Sequence, residues 1–309
     1  MNDKDIKKTI DNIVWYIPFR KLRDSVRFFL ESVYKIKYDC NYQLDKITPK
    51  ANINFVDIHL AEHCNLNCQC CNHFSQLAEP EFTNIEAFER DIKRLSELSN
   101  GEVNIIHLMG GEPLLNPNIK RFFEIARKYF DKTEIKLVTN GILLLKQSDS
   151  FWQSMKDNNI ILAPTKYPIK IDWDKIKSIC ESMDIKLIFF DDENVIKTSC
   201  YNPLNLEGNE PPEWNFRNCY PANNCLQLYN GKLYTCFEPA YIRHFNKFFN
   251  KNITVSVNDY IDIHEARNYQ EVLQFLAKPI PFCKYCDVKN RKDGITWKTS
   301  TKGIEEYIE

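Results

Sequence analysis

Cys64, Cys68 and Cys71 form a CxxxCxxC loop, in which the residue type and the spacing suit the binding of a metal cluster. Three thiolates this close together can hold three corners of a 4Fe-4S cubane and leave its fourth iron open to an outside ligand. The loop directly follows Ile53 to Leu60, an apolar stretch predicted to be a strand. Barrel enzymes carry their active sites at the carboxyl ends of parallel strands. The loop therefore predicts a metal site at a catalytic edge.

A zinc site is the alternative interpretation of this loop, because zinc uses the same soft thiolate ligands. Zinc normally takes four protein ligands, and His63 or His73 could supply the fourth. The 309 residues include 12 cysteines but no apolar signal segment and no membrane-spanning run. We therefore expect a cytoplasmic protein whose cysteines are reduced and bind metal rather than forming disulfides.

Gly110, Gly111 and Glu112 form a second motif, followed by Pro113. The motif ends the apolar run Val103 to Met109, which is predicted to be the second strand. Two glycines allow positive φ and a close approach of the backbone to a ligand. Pro113 favours an extended conformation at Glu112. Gly-Gly-Glu alone is most often a simple turn, but after the second strand and downstream of the cysteine loop it favours a turn that binds an ammonium group.

The elements that position these motifs are short apolar runs alternating with amphipathic helices, a pattern typical of βα units and a parallel sheet. The predicted strands are Ile53 to Leu60, Val103 to Met109, Glu134 to Val138, Asn159 to Ala163 and Ile185 to Phe190, with a sixth near Val195. Thr83 with Glu86 forms a predicted capping box for the first intervening helix. The predicted fold class is α/β, with a helical extension in residues 1–50, the βα array in 51–208 and a smaller domain in 209–309.

The cysteine loop and the Gly-Gly-Glu turn together resemble the radical S-adenosylmethionine (SAM) superfamily. The resemblance implies a partial (β/α)6 barrel over residues 51–208, with Cys64, Cys68 and Cys71 as ligands of a 4Fe-4S cluster. It also implies that SAM chelates the open iron and that its amino group contacts the turn at Gly110, Gly111 and Glu112.

Further SAM contacts are expected after the third and fourth strands, where the candidates are Asn140, Thr165 and Lys166. In the family the residue before the third cysteine is usually aromatic, but here it is Cys70. We interpret Cys70 as a non-ligand and Phe74 as the candidate for the aromatic contact to adenine.

A second cysteine set lies beyond residue 208 and consists of Cys219, Cys236, Cys283 and Cys286. Alone, this set would predict a zinc ribbon. Within the radical SAM superfamily it resembles the twitch domain, a short SPASM-like module that holds an auxiliary 4Fe-4S cluster, and the resemblance implies these four ligands. Four thiolates leave no open iron, so the expected role is to accept an electron from a substrate radical. Cys225 is either a hydrogen donor to that radical or a buried structural cysteine.

Residues 15–35 combine aromatic, apolar and basic side chains. Leu22, Val26 and Phe29 recur at helical spacing, while Arg20 and Lys21 occupy other faces. Such a helix either lies on an anionic membrane surface, here the inner face of the membrane, or packs on the main domain. The formal net charge of −1 gives no general attraction for nucleic acid, so the expected substrate is a small molecule or a peptide.

The sequence therefore predicts a radical enzyme that oxidises or epimerises a carbon of a sugar or glycan precursor. A flavodoxin- or ferredoxin-type electron donor is implied by the family resemblance. The glycan assignment depends on two segments, Trp15 to Arg23 and Cys71 to Glu79, which resemble segments of proteins linked to bacterial surface polysaccharides. The alternatives are a radical SAM maturase of a ribosomal peptide and a non-catalytic, zinc-bound interaction module.

Overall fold

A computed structural model describes residues 3–190 and 197–308 of the chain, so the sixth strand predicted near Val195 lies outside the described residues. The chain forms two compact units, residues 1–48 and 49–309. The first unit is a pair of helices, α1 (Asp3–Trp15) and α2 (Arg20–Ile47). Ile6, Ile10 and Val14 recur every four residues on α1 and are buried in the contact between the helices. The predicted N-terminal helical extension is confirmed, and α1 is an additional helix that the sequence analysis did not predict.

The second unit is built around a mostly parallel sheet. The strands of the unit are β1 (Ile53–Ala61), β2 (Val103–Gly110), β3 (Glu134–Thr139), β4 (Ile160–Pro164), β5 (Thr198–Tyr201), β6 (Leu226–Tyr229), β7 (Lys232–Tyr234), β8 (Tyr260–Asp262) and β9 (Lys292–Thr296). Seven of them form one sheet in the order β4-β3-β2-β1-β6-β7-β8, whereas β5 pairs with β9 in a separate antiparallel ribbon. β4, β3, β2, β1 and β6 are mutually parallel, which confirms the predicted α/β class.

Helices cover the outer face of this sheet. The helices of the second unit are α3 (Ile85–Ser99), α4 (Ile119–Tyr129), α5 (Asp149–Asp157), α6 (Trp173–Met183), α7 (Pro212–Asn218), α8 (Phe237–Phe249), α9 (Tyr269–Leu276) and α10 (Glu305–Ile308). Alternate residues of β1, namely Val56, Ile58 and Leu60, are buried in the core with side chains of α3 and α4. Because side chains alternate along a strand, the intervening residues face the interior of the curved sheet, called the lumen below.

Two local predictions need correction. The N-cap of α3 is Asn84, whose side chain accepts a hydrogen bond from the Ala87 N–H at 2.8 Å. Thr83, predicted as the cap, instead donates its hydroxyl to the carbonyl of His59. The fifth predicted strand forms only one isolated bridge, Leu162 with Leu187.

β6 continues the sheet beside β1, where Val56 pairs with Leu226. This strand comes from the cysteine-rich end of the chain, so that end contributes directly to the sheet. The predicted domain boundary after residue 208 stays a prediction.

Candidate functional site

The carboxyl ends of β1 and β2 are held together without any intervening side chain. The Gly111 N–H donates to the carbonyl of Ala61 at 2.8 Å, and the Glu112 N–H donates to the carbonyl of His63 at 3.1 Å. A Cβ at Gly110 would meet the Ala61 oxygen at 2.2 Å, and a Cβ at Gly111 would meet the His63 oxygen at 2.2 Å. Gly110 also has a φ of +140°. The two glycines therefore let the second strand support the first residues of the cysteine loop.

Cys64 is the first of the three predicted cluster ligands. Its sulfur accepts the Leu66 N–H at 3.3 Å, and the amide Nδ2 of Asn140 lies 3.7 Å away. The same Nδ2 donates to Oδ1 of Asn65 at 2.7 Å. Asn140, predicted to contact SAM, thus joins the end of β3 to the cysteine loop.

Cys68 and Cys71 receive donors of two different kinds. The indole Nε1–H of Trp297 donates to the sulfur of Cys68 at 3.1 Å, and the hydroxyl of Tyr167 forms a second hydrogen bond to that sulfur. The backbone N–H groups that point at the sulfur of Cys71 belong to His73, Phe74 and Ser75. Trp297 and Tyr167 were missed by the sequence analysis.

The donor set fits an iron-sulfur cluster. Burial raises the pKa of all three thiols, and the pKa of Cys68 reaches about 12, with the neighbouring Cys71 adding to the shift. N–H donors at each sulfur suit cluster-bound thiolates, whose charge such hydrogen bonds stabilise. His63 and His73, the candidate zinc ligands, have protein partners, since Nδ1 of His63 accepts the Glu81 N–H and Nδ1 of His73 lies 2.8 Å from Nε2 of His59.

Glu112 is fully buried, and both of its carboxylate oxygens accept hydrogen bonds. Oε1 accepts the Leu114 N–H at 3.0 Å and the Thr139 hydroxyl at 2.7 Å, and Oε2 accepts the Asn140 N–H at 2.9 Å. Burial raises the pKa of Glu112 to about 7, although these hydrogen bonds oppose the shift. The Thr165 N–H donates in turn to the carbonyl of Thr139 at 2.9 Å. Glu112 therefore fixes the turn after β3, and its predicted contact with the SAM amino group stays a prediction.

A row of polar side chains crosses the lumen below these strand ends. The sheet register pairs Asp57 of β1 with Gln227 of β6 on one side and with His107 of β2 on the other, and His107 with Lys136 of β3. Oδ1 of Asp57 lies 2.7 Å from Nδ1 of His107, and Oδ2 accepts Nε2–H of Gln227 at 2.8 Å. The Tyr241 hydroxyl donates to Oε1 of Gln227 at 3.1 Å. The sequence signal was a polar or charged residue inside each of several mostly apolar strands, and the sequence analysis did not use it.

A second buried polar group lies beside the cysteine loop. His59 stacks on Tyr241 with the ring centroids 3.8 Å apart. The carboxylate of Glu62 lies 2.8 Å from Nε2 of His244 and 3.1 Å from a guanidinium nitrogen of Arg243. Burial alone would raise the pKa of Glu62, but His59, His244 and Arg243 together hold it well below the usual range.

Comparison with known proteins agrees with this geometry. Residues 58–164, which include the cysteine loop, the glycine turn and β1–β4 from Ile58 onward, match the model of the Radical SAM superfamily. This segment of the chain is similar to radical SAM domains. Such domains use a 4Fe-4S cluster and SAM. The predicted cluster ligands Cys64, Cys68 and Cys71 lie within the matched segment, and their role stays a prediction.

Curated relatives of the chain include two proteins named GTP 3',8-cyclase. The protein from Clostridium botulinum (strain Hall) is 30% identical over 138 residues, which are 44% of this chain and 41% of the relative. The protein from Desulforamulus reducens is 31% identical over 100 residues, which are 31% of this chain and 30% of the relative. The chain thus spans about two fifths or less of the length of these relatives.

Similar solved structures include BtrN in complex with AdoMet and 2-DOIA, with 16% identity and a TM-score of 0.49 over 84% of this chain and 100% of that chain. Another is native anSMEcpe with bound AdoMet, with 13% identity and a TM-score of 0.45 over 75% of this chain and 82% of that chain.

The second cysteine set lies beyond the matched radical SAM segment. The thiols of Cys219, Cys236, Cys283 and Cys286 are all buried in one core. Burial is the largest cause that raises the pKa of Cys236, and the nearby Glu238 carboxylate is the next. The other three thiols of the set raise it further. The sulfur of Cys236 therefore lies close enough to the other three sulfurs to interact with them electrostatically. The turn before Cys236 is formed by Asn230 and Gly231, both with positive φ, as the hairpin prediction requires.

Donors also surround this second set. The amide of Asn202 donates to the sulfur of Cys219 at 3.4 Å. The amide of Asn215 donates to the carbonyls of Cys283 and Cys286 at 2.9 and 2.5 Å, which fixes the CxxC turn. This arrangement is compatible with an auxiliary cluster, whose ligands stay a prediction.

Three further predicted residues have clear positions. Phe74 is buried with its ring centroid 5.3 Å from that of Tyr307, and its adenine contact stays a prediction. Cys70, predicted to be a non-ligand, is buried and its thiol is hydrogen bonded to Tyr201. Cys225 precedes β6, and its carbonyl accepts Nε2–H of Gln227 at 3.0 Å, which places it next to the polar row.

Proposed function

We propose that the chain is a radical SAM enzyme that abstracts a hydrogen atom from a carbon of a sugar or glycan precursor and oxidises or epimerises that carbon. The observation that carries the substrate class is the polar row formed by Gln227, Asp57, His107 and Lys136. An amide, a carboxylate, an imidazole and an ammonium group offer donors and acceptors that match a hydroxyl-rich molecule. Asp57, His107 and Gln227 are paired with one another, and Nζ of Lys136 lies 3.3 Å from the Glu134 carboxylate, so the row offers a substrate the remaining donors and acceptors of these side chains.

The position of the row supports this proposal. Asp57 precedes Ala61, the last residue of β1, by four residues, which is about 13 Å along a strand. A substrate in contact with the row would thus lie below the edge where the three thiols stand. When bound, the cluster supplies one electron that cleaves SAM to methionine and a 5′-deoxyadenosyl radical, which abstracts the hydrogen atom. The protein must hold the reacting carbon close to that radical and exclude water.

The two outcomes use different residues of the chain. Oxidation of a carbinol radical removes the hydroxyl proton and one electron. His107, oriented by Asp57, is the candidate to accept the proton, and the set of Cys219, Cys236, Cys283 and Cys286, loaded with an auxiliary cluster, would accept the electron. Epimerisation instead transfers a hydrogen atom from a thiol to the opposite face of the carbon, and Cys225 is the candidate donor. The S–H bond breaks and leaves a thiyl radical, which takes one electron from the flavodoxin- or ferredoxin-type donor and a proton from solvent to restore the thiol.

The test is an anaerobic incubation of the reconstituted protein with SAM, a reductant and carbon-deuterated nucleotide sugars. We expect deuterium in the 5′-deoxyadenosine, detected by mass spectrometry, and none with the matched variant in which Cys64, Cys68 and Cys71 are all Ala. Stoichiometric zinc without iron would contradict radical chemistry. Deuterium transfer from peptides but from no sugar would instead identify a peptide maturase.

The auxiliary set has its own test. Iron analysis should find about eight irons per chain, and about four after Cys283→Ala. If the set accepts the substrate electron, Cys283→Ala should still form 5′-deoxyadenosine but no oxidised product. An unchanged yield of oxidised product would contradict that role.

We further propose that residues 15–35 contact an anionic membrane surface. Tyr16 and Phe19 are 85% and 72% exposed at the turn between α1 and α2, and Leu22 and Phe29 are also exposed on α2. Aromatic and basic residues on one short segment suit the interface between lipid headgroups and water. In the part of the chain that the structure describes, no helix has the length and apolar character needed to cross a membrane.

A further inference from the structure

A segment near the C-terminus runs along the cysteine loop. The Gln69 N–H donates to the carbonyl of Lys298 at 2.9 Å, and the Ser300 N–H donates to the carbonyl of Asn67 at 2.9 Å. The amide of Asn67 donates back to the carbonyl of Ser300 at 2.9 Å. Both neighbours of the central ligand Cys68 are thus tied to a segment outside the matched radical SAM residues.

This segment, residues 297–300, is fixed on both sides. It follows β9, which pairs with β5. Beyond it, the carboxylate of Glu306 accepts the Ser300 hydroxyl and the Thr301 N–H, each at 2.6 Å. The segment is therefore held in place by hydrogen bonds on both sides.

Trp297 is the residue of this segment that reaches a predicted ligand. Its indole Nε1–H lies 3.1 Å from the sulfur of Cys68, and its ring meets that of Tyr167 edge-on at a centroid distance of 6.1 Å. An indole nitrogen is a donor only, so it can stabilise negative charge on sulfur but cannot accept a proton from it.

A hydrogen bond to a cluster ligand acts on the reduction potential. Adding an electron makes the cluster and its thiolates more negative, and a hydrogen bond to a more negative acceptor is stronger. The donor therefore stabilises the reduced form more than the oxidised form and raises the potential.

We propose that Trp297 is a positioning residue that raises the reduction potential of the cluster held by Cys64, Cys68 and Cys71, through its hydrogen bond to Cys68. This role concerns the cluster and not the substrate. The proposal for Trp297 can therefore be wrong while the proposed sugar chemistry is right, and the sugar chemistry can be wrong while the proposal for Trp297 is right.

The test is a redox titration of the anaerobically reconstituted protein, followed by electron paramagnetic resonance. The relevant signal is the one that changes when SAM is added, which separates this cluster from any auxiliary cluster. Trp297→Phe keeps an aromatic ring beside Tyr167 but removes the N–H. We expect a more negative midpoint potential with unchanged iron content, and Trp297→His, which restores an N–H donor, should recover part of the shift.

The control is Trp15→Phe, which removes an exposed indole from α1 and should leave the potential unchanged. An unchanged potential in Trp297→Phe would overturn the proposal. Loss of iron from Trp297→Phe would also overturn it, since the indole would then be needed to hold the loop rather than to set the potential.

Discussion

Asp57 and His107 lie on neighbouring parallel strands, paired in register, and the Asp57 carboxylate is 2.7 Å from Nδ1 of His107 deep in the lumen. The same carboxylate accepts the amide of Gln227. Both of its oxygens are thus engaged by side chains from different strands. The pair joins three strands and also offers an oriented imidazole to the lumen.

Asp57→Ala should destabilise the protein, because it leaves two buried groups without their partner. We expect a loss of about 3 kcal/mol in the free energy of unfolding. This corresponds to a fall of about 6 °C in Tm by differential scanning calorimetry. Asp57→Asn keeps one carbonyl acceptor and should lose about half as much. An equal Tm for wild type and Asp57→Ala would show that the carboxylate has no structural role.

His107→Gln should separate SAM cleavage from substrate conversion. If His107 removes the substrate proton, product formation should fall about 100-fold, because positioned acid-base groups contribute on this scale. Formation of 5′-deoxyadenosine and iron content should remain, since His107 does not touch the cysteine loop. The measurement is the ratio of product to 5′-deoxyadenosine by mass spectrometry. A ratio equal to that of the wild type would remove His107 from the chemistry.

Gly111→Ala should disrupt the cysteine loop. The added Cβ would stand 2.2 Å from the carbonyl oxygen of His63, so the two backbones must move apart. We expect iron to fall from about eight to about four per chain, because only the first cluster depends on this contact. Gly101→Ala is the control, since its Cβ would meet no atom within 4 Å although Gly101, unlike Gly111, has a positive φ of +74°. Full iron content in Gly111→Ala would contradict this account of the turn.

The sequence alone was sufficient to predict those features of the structure whose signal is local. β2 was predicted within one residue, because its apolar run and the glycines that end it are contiguous. The three thiols and the Gly-Gly-Glu turn were predicted to lie together because each motif directly follows a strand, and adjacent parallel strands end at one edge. The N-cap of α3 was misplaced by one residue because Thr83 and Asn84 are both good N-cap residues. In the structure the Thr83 hydroxyl donates to the carbonyl of His59, which leaves Asn84 as the cap.

The rest of the site depends on contacts that no local pattern reports. Trp297 is 229 positions away from Cys68, and nothing in its own segment signals a thiol partner. Asp57 and His107 each lie in a mostly apolar strand, and only the sheet register pairs them. β6 joined the sheet beside β1 although it lies among the cysteines of the second set.

Stability should depend on pH through Glu112. Its folded pKa of about 7 lies above the ordinary value of 4.5 because the carboxyl is buried, so the folded state binds this proton more tightly. The stabilising contribution is fully present below about pH 4.5 and is lost as the pH rises through about 7. Between pH 5 and 8 the free energy of unfolding of cluster-free protein should fall by up to about 3 kcal/mol relative to Glu112→Gln.

Glu112→Gln is the matched reference because its amide stays neutral across this range. Urea denaturation of both proteins at pH 5, 6, 7 and 8 would give the difference directly. A difference that does not change with pH would mean that the pKa of Glu112 is not raised in the folded protein.

The helical hairpin formed by α1 and α2 should bind anionic lipid through the turn between these two helices. Arg20 and Lys21 follow the exposed Tyr16 and Phe19, and each basic residue near an anionic surface contributes about 1 kcal/mol. The double change Arg20→Gln and Lys21→Gln should therefore weaken binding about 30-fold to vesicles that contain phosphatidylglycerol, measured by co-sedimentation. Phe29→Ser should weaken binding further, because it removes apolar area from the same helix.

The matched control is Lys7→Gln with Lys8→Gln, which removes the same charge from the other end of the hairpin. We expect this control to bind nearly as the wild type does, and all proteins to bind poorly to pure phosphatidylcholine. Equal weakening by both double changes would indicate a general charge effect instead of contact at the turn. A dimer in solution that dissociates on Phe29→Ser, with no vesicle binding by the wild type, would identify a second copy of the chain as the partner of this surface.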